Sequence, residues 1–218
     1  MYIVIAAATP AEIKPFLEWQ STPQNNQTTK TEILITGVGV LAATFSITRT
    51  ILEKMPDLII QAGIAGSFDP SLNAGEVVLI KEEIMGDYGA SENGEWKDIF
   101  DLGLMNKAEF PFNEGRLINP HVNEYNKWGL QTVSSLTVNE IITLPEKLSQ
   151  VIKKYNPAIE NMEGAALHYS CLQLNIPFLQ LRSISNQASE RNKSSWRIEE
   201  SITELNKVLI TLIEQTGK

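Results

Sequence analysis

Leu58-Ile59-Ile60-Gln61-Ala62-Gly63-Ile64-Ala65-Gly66-Ser67 reads as a buried strand running into a glycine-bearing turn. Leu58–Ala62 is apolar at nearly every position, whereas a half-exposed strand alternates apolar with polar, so it fits a sheet covered on both faces. Similar short runs recur as Tyr2–Ala7, Glu32–Thr36, Glu76–Lys81, Leu130–Ser134 and Phe178–Ser183. Between them lie stretches of helical period: Pro10–Trp19, Val40–Lys54, Pro145–Lys154, Glu163–Leu174 and Trp196–Glu214. In the last of these, Ile198, Ile202, Leu205, Leu209 and Leu212 form one apolar stripe, while Glu199, Glu200, Glu204 and Lys207 face water. Leu174-Asn175-Ile176-Pro177 is a helix exit feeding the next strand, because Pro cannot continue the helix. Alternating strands and helices predict an α/β sandwich with a largely parallel central sheet.

One stretch breaks the alternation. Residues Ile84 to Asn123 are rich in Gly, Asn, Asp and Glu with little periodicity, and irregular segments of that length are usually functional. Otherwise the chain has no repeat, low-complexity tract or dividing linker, so its 218 residues are expected to form one domain, 1–218. Apolar residues make up 43% and charged residues 20%, the balance of a chain that folds around a core. A net charge of −8 argues against nucleic acid and anionic membranes as partners, since phosphate recognition needs a basic patch. The single cysteine, Cys171, leaves no intrachain disulfide and fits a reducing cytoplasm. The apolar N-terminus has no basic segment before it and is soon followed by Glu12 and Lys14, so it is read as a strand rather than a leader. No run reaches the roughly 20 apolar residues of a membrane helix. His121 and His168 are too few and too isolated for a metal site or a triad, and each is read as structural. No metal and no cofactor is expected.

Ligands of such sheets bind outside the carboxyl ends of the strands, so the residues that follow each strand are the candidates. They are Ala8-Thr9-Pro10-Ala11-Glu12, Gly37-Val38-Gly39, Gly63 to Ser67, Glu160-Asn161-Met162-Glu163-Gly164-Ala165-Ala166, and Asn186. Each has a structural explanation too. Glu12 in a first helical turn complements the helix dipole, and Glu163 opening an apolar helix does the same. Gly37 and Gly39 suit any tight turn. Gly63 and Gly66 around Ala65 open backbone N–H groups to a ligand. Asn186 after a strand is an ordinary turn residue. No one of them decides the chemistry.

Taken in order, Glu12 behind the first strand, Gly63-Ile-Ala-Gly66, Asn161-Met162-Glu163-Gly164-Ala165-Ala166 and Arg182-Ser183-Ile184-Ser185-Asn186 resemble the motifs of the nucleoside phosphorylase and nucleosidase superfamily over essentially the whole chain. The resemblance implies a three-layer α/β/α sandwich around a twisted mixed, mostly parallel central sheet, nucleoside phosphorylase-like, assembled as a homodimer or larger homo-oligomer. It implies a small-molecule purine nucleoside as substrate and cleavage of its N-glycosidic bond. Such cleavage passes through an oxocarbenium-like state that needs an activated nucleophile, negative charge near the ribose and help for the departing base. By family position, Glu12 activates water as general base, and Glu163 binds ribose hydroxyls and offers charge to the developing cation. Met162 packs against the sugar, Ala65 and Gly66 help to place the water, and Asn161, Ser185, Trp196 and Val138 complete the binding set. Trp196 is equally well read as a core residue at a helix start.

Hydrolysis is expected over phosphorolysis, because Glu12 repels phosphate and no arginine adjoins Gly37 or Gly63 in sequence; Arg49 lies a helix away and Arg182 is expected inside a strand. Asn186 stands where adenine-specific members, which take methylthioadenosine and S-adenosylhomocysteine, have an Asp general acid. An amide delivers no proton but both donates and accepts hydrogen bonds, which suits a 6-oxopurine. Ser185-Asn186 with Glu190-Arg191-Asn192 and Trp196 resembles the futalosine hydrolases, which release hypoxanthine from a riboside with an anionic carboxyphenyl-ketone tail; so does Gly63-Ile64-Ala65-Gly66-Ser67-Phe68-Asp69. Lys97, Lys107, Arg116 and Arg191 are candidate cations for that tail, and Met85–Asn106 is expected to cover it or to form a subunit interface. The competing readings are a methylthioadenosine/S-adenosylhomocysteine nucleosidase, a 6-oxopurine nucleoside phosphorylase and a non-catalytic nucleoside-binding protein.

Overall fold

The computed structural model describes residues 1–22, 29–188, 190 and 192–216. The elements run β1 (Tyr2–Ala7), α1 (Lys14–Gln20), β2 (Lys30–Ile35), α2 (Val40–Lys54), β3 (Leu58–Ser67), β4 (Val77–Met85), β5 (Gly89–Glu92), β6 (Glu95–Asp98), β7 (Leu117–Ile118), α3 (Val122–Tyr125), β8 (Thr132–Thr137), α4 (Pro145–Tyr155), β9 (Ile159–Asn161), α5 (Gly164–Gln173), β10 (Phe178–Gln187) and α6 (Ile198–Thr216). A mixed sheet of order β10-β4-β8-β9-β3-β1-β2 forms the centre, with β7 on the edge of β4. Because β3 also pairs with β10, the strands β3, β10, β4, β8 and β9 close on themselves, and β1 and β2 extend from that ring. Pairing is parallel except for β10–β4, β3–β9 and β4–β7.

The apolar runs explain the layers, since alternate side chains of a strand point to opposite faces. Ile3, Ile5 and Ala7 of β1, with Leu58 and Ile60 of β3, meet Leu205, Leu209 and Leu212 of α6. Val4 and Ala6 of β1, with Ile59 of β3, meet Ile47 of α2 and Leu167 of α5 on the other side. A strand buried on both faces is what an apolar run without alternation encodes, and the expected three-layer sandwich follows. Among the described residues no helix is long and apolar enough to cross a membrane.

The strands end later than their apolar runs. β3 continues to Ser67, β4 to Met85, β8 to Thr137 and β10 to Gln187. The expected glycine turn after Ala62 is therefore strand, and Asn186 sits in a strand instead of behind one. The reason is that the polar residues of these extensions are buried and answer one another; Glu83, Ser135, Thr137, Arg182 and Ser185 all have little or no exposure. β9 is too short and acidic for the strand pattern, and the sequence shows it only as an acidic motif. The supposedly irregular 84–123 segment includes the end of β4 and the β5–β6 hairpin, turned at Asn93 and Gly94 with φ of 54° and 83°. Asn-Gly supplies the two positive-φ positions that a two-residue hairpin turn demands, so this hairpin was legible in the sequence. The terminal stripe divides: Leu205, Leu209 and Leu212 are core, whereas Ile198 and Ile202 reach the cavity described next.

Candidate active site

A cleft of about 330 Å³ opens at the carboxyl ends of the strands. Glu12, Glu163 and Asn186 line it together with Ala65, Gly66, Val138, Asn161, Met162, Ser185 and Trp196, so every residue assigned to the site from the sequence meets in one place. Val38, Ile64, Ile141, Ile198 and Ile202 supply apolar wall.

Glu12 is set by a short 3-10 turn over Pro10–Ile13 behind β1. Thr9 N–H donates to its Oε2 at 3.0 Å and Thr9 Oγ1 does so at 3.3 Å, closing a capping box that holds the carboxylate against its own turn. The turn is fixed from α6: buried Asn206 donates its amide to the Glu12 carbonyl at 2.8 Å and accepts from Phe16 N–H at 3.1 Å. Across the cleft, Ile64 N–H points to Glu12 Oε1 at 3.4 Å. Burial raises the Glu12 pKa above the usual carboxylate range and the Glu163 charge adds to this, opposed by Arg182 and by the Thr9 N–H. A half-buried carboxylate so poised has the basicity expected of a general base.

Glu163 caps the N-terminus of α5 and is buried. Its Oε1 accepts from Gly39 N–H at 2.9 Å. The Gly37-Val38-Gly39 turn, with φ of 82° and 87° at its glycines, therefore holds a carboxylate in place while Val38 lines the cleft. Asn161 touches the cavity, but its amide is fully engaged: Oδ1 accepts from Glu163 N–H at 2.9 Å and Gly164 N–H at 2.6 Å, and Nδ2 donates to Ser135 Oγ at 2.7 Å.

The sequence reading assigned no site role to Arg182 and placed no arginine beside Gly63; the tertiary structure corrects both. Arg182 does lie inside β10, and its guanidinium crosses to β3, where Nη2 donates to Gln61 Oε1 at 2.7 Å and to Asn161 Oδ1 at 3.3 Å and lies 4.0 Å from Glu163 Oε2. A Cβ on Gly63 would lie 2.0 Å from Arg182 Nη1 and 3.0 Å from Glu12 Oε1. Gly63 is thus required by close approach and not by a turn. The available signal was an arginine and two glutamines, Gln61 and Gln180, inside otherwise apolar strands, where burial is costly unless each group is paired. Its Nη2 is held by Gln61 and Asn161 with Glu163 nearby, whereas Nε has no hydrogen-bond partner among the described residues.

Asn186 is aimed by a β-bulge. The β10–β3 register pairs Ile184 with Ala65 and then Asn186 with Gly66, leaving Ser185 as the extra residue. Ser185 Oγ hydrogen-bonds the Ala65 carbonyl at 3.1 Å and Asn186 Oδ1 at 2.7 Å, while Asn186 Nδ2 donates to the Gln187 carbonyl at 2.8 Å. Trp196 precedes α6 in an extended segment; its ring borders the cleft and its Nε1 donates to the Glu190 carbonyl at 3.1 Å. It is not a helix-start residue. Of the candidate tail cations, Lys97 pairs with Glu92 at 3.0 Å, Lys107 with Glu114 and Arg116 with Glu82 at 2.7 Å, none of them lining the cleft; Arg191 lies outside the described residues. No residue of Met85–Asn106 lines it either. His168 is buried, holds the Leu117 carbonyl through Nδ1 at 2.9 Å, and is pushed by burial down to a pKa of about 4.

The Gly63 contact makes a direct expectation. Gly63→Ala should fold but displace the Arg182 guanidinium, and a displacement of that order at a reacting centre costs roughly 10²-fold in turnover. Steady-state kinetics beside a circular-dichroism melt would check this; wild-type kcat would mean that the guanidinium position is immaterial.

Three comparisons bear on this geometry. The family model described as the phosphorylase superfamily matches residues 2–215. A futalosine hydrolase of Thermus thermophilus is 28% identical over 188 residues, covering 84% of this chain and 81% of that protein. A 5'-methylthioadenosine/S-adenosylhomocysteine nucleosidase of Staphylococcus aureus is 27% identical over 196 residues, covering 84% and 82%. Among solved structures, the methylthioadenosine/S-adenosylhomocysteine nucleosidase of Colwellia psychrerythraea in complex with adenine superposes with a TM-score of 0.80 at 22% identity, covering 99% of this chain and 95% of that one. The futalosine hydrolase of Helicobacter pylori also gives 0.80, at 18% identity and 99% and 98% coverage. With a family model spanning nearly its whole length and this fold beneath it, the chain belongs to the phosphorylase superfamily.

Proposed function

We propose that this protein is a purine nucleosidase that hydrolyses the N-glycosidic bond of futalosine and releases hypoxanthine. The observation that carries the reading is the pair Glu12 and Glu163 on one cleft with Asn186, both carboxylates within the electrostatic reach of Arg182. Glu12 takes a proton from water as that water attacks the anomeric carbon. Glu163 accepts from the ribose hydroxyls and opposes the positive charge that spreads over the ring as the bond to the base breaks. Met162 borders the sugar position, and Trp196 and Val138 flank the base. Asn186 offers both a donor and an acceptor to the departing purine, which fits a 6-oxo base that leaves as a delocalised anion and then takes a proton from water. The Glu12 charge favours water over phosphate, which it would repel.

The rival substrate is methylthioadenosine or S-adenosylhomocysteine, favoured by relatives of that activity at 26–27% identity. Asn186 weighs against it, because an amide supplies no proton to adenine. Hypoxanthine or adenine release from futalosine, inosine and methylthioadenosine, each with and without phosphate, separates the readings. Phosphate-independent release from futalosine alone is expected, and Glu12→Gln should lower it by roughly 10²–10⁴-fold while binding is retained. Adenine release from methylthioadenosine would overturn the assignment, and a phosphate requirement would make the protein a phosphorylase.

Asn186→Asp should shift the kcat/KM ratio away from hypoxanthine nucleosides toward adenine ones. An unchanged ratio would remove Asn186 as the determinant of base preference.

The working form is proposed to be a homodimer or larger homo-oligomer. Leu41, Phe45 and Leu52 project from α2 at 88%, 66% and 63% exposure, an apolar face beside the cleft-lining Val38 that a second copy would cover. Sedimentation equilibrium should give at least twice the chain mass, and a monomer would sink the idea.

A further inference from the structure

Behind the cleft lies a buried polar cluster to which the proposed reaction gives no role. Glu83, from β4, has 0% exposure. Thr137 donates to its Oε1 at 2.9 Å, and Asn161 Nδ2 lies 3.2 Å from each of its oxygens. An ionised carboxylate only accepts, so it dictates which way its neighbours face. Asn161, its NH2 turned to Glu83, must present Oδ1 to the start of α5, where Glu163 N–H and Gly164 N–H donate to it at 2.9 and 2.6 Å and Arg182 Nη2 at 3.3 Å. Thr137, its hydroxyl hydrogen given to Glu83, leaves its lone pairs to Ala165 N–H at 2.8 Å. These three N–H groups open a helix and have no partner within it. All three trace back, through one intermediary each, to a single carboxylate. A Cβ on Gly164 would lie 2.1 Å from Glu83 Oε2, so glycine is what lets the helix start so close.

We propose that Glu83 is a positioning residue for the cleft: by orienting Asn161 and Thr137 it sets the start of α5, and with it the places of the Glu163 carboxylate and the Arg182 guanidinium. It contacts no substrate. Ser135 from β8 and Gln180 and Arg182 from β10 also face it, Arg182 carrying the charge; His168 of α5 adjoins Gln180 and is kept neutral by burial. Burial pushes the Glu83 carboxyl up to about 7 against the pull of Thr137 and Arg182. The sign follows: as pH falls through that value the carboxylate gains a hydrogen, becomes a donor beside the donors Asn161 Nδ2 and Thr137, and the arrangement loosens. Activity should fall there.

The kinetic part of the test rests on the nucleosidase reading, and the structural part does not. Glu83→Gln is nearly isosteric and places an NH2 where an acceptor is required. Expected are a fall in kcat of roughly 10²-fold, as for a small displacement of catalytic groups, with KM little changed; loss of the Glu83 ionisation near 7 from the kcat profile; and faster amide hydrogen exchange at Gly164 and Ala165. Wild-type kcat and pH profile, or unchanged exchange at those amides, would overturn the proposal. If neither protein cleaves any purine nucleoside, the functional reading fails and exchange alone decides the role of Glu83. Should Glu83→Gln not fold, Thr137→Val breaks one link only, and must speed exchange at Ala165 and lower kcat for the proposal to stand.

Discussion

The buried guanidinium of Arg182 is the constraint around which this site is built. Among the described residues it is the only arginine or lysine that is buried, and it sits amid three carboxylates, Glu12, Glu83 and Glu163. A charge taken out of water is tolerable only with paired charge and satisfied donors, and removing one partner leaves the rest exposed to the full desolvation cost. Gln61 and Asn161 take up the hydrogens of Nη2, Gly63 gives the group room, and Glu163 is held within 4.0 Å, while Nε has no hydrogen-bond partner among the described residues. The two cleft carboxylates share this cation: Arg182 lowers the Glu12 pKa by its charge and lies 4.0 Å from Glu163.

Around this cluster the fold acts as a set of clamps. Thr9 and Asn206 fix the turn that carries Glu12, so the first and last thirds of the chain meet at one carbonyl. Gly39 fixes Glu163 from the α2 side. The bulge at Ser185 turns the end of β10 so that Asn186 joins the same cleft. Each clamp uses a backbone group or a short side chain on a rigid element, which suits a site whose geometry must be kept to within a fraction of an ångström.

The layers and most strand positions were legible because apolar runs without alternation can only be strands buried on both faces, and β1 and α2 were bounded correctly by their patterns. Strand ends were not. β3, β4, β8 and β10 run on into Gly63–Ser67, Glu82–Met85, Ser135–Thr137 and Ile184–Gln187, where local composition says turn or surface. Tertiary pairing outweighs that preference, since the polar side chains there find each other inside the sheet. Motif order located Glu12, Glu163 and Asn186, but it gave Arg182 no role and passed over Glu83, whose partners lie on strands far apart in the chain.

The sequence by itself determined the main strands and the longer helices of the sandwich, that both faces of the sheet are covered, and which motif residues gather at the strand ends. Those follow from side-chain periodicity and from residue types that have few other uses in such positions. Only the tertiary structure decided that the sheet closes through β3–β10, that Gly63 yields to a guanidinium, and that Glu83 and Asn161 together orient the start of α5. Hydrogen-bond partners and close approach depend on distances between strands, and no local pattern encodes those.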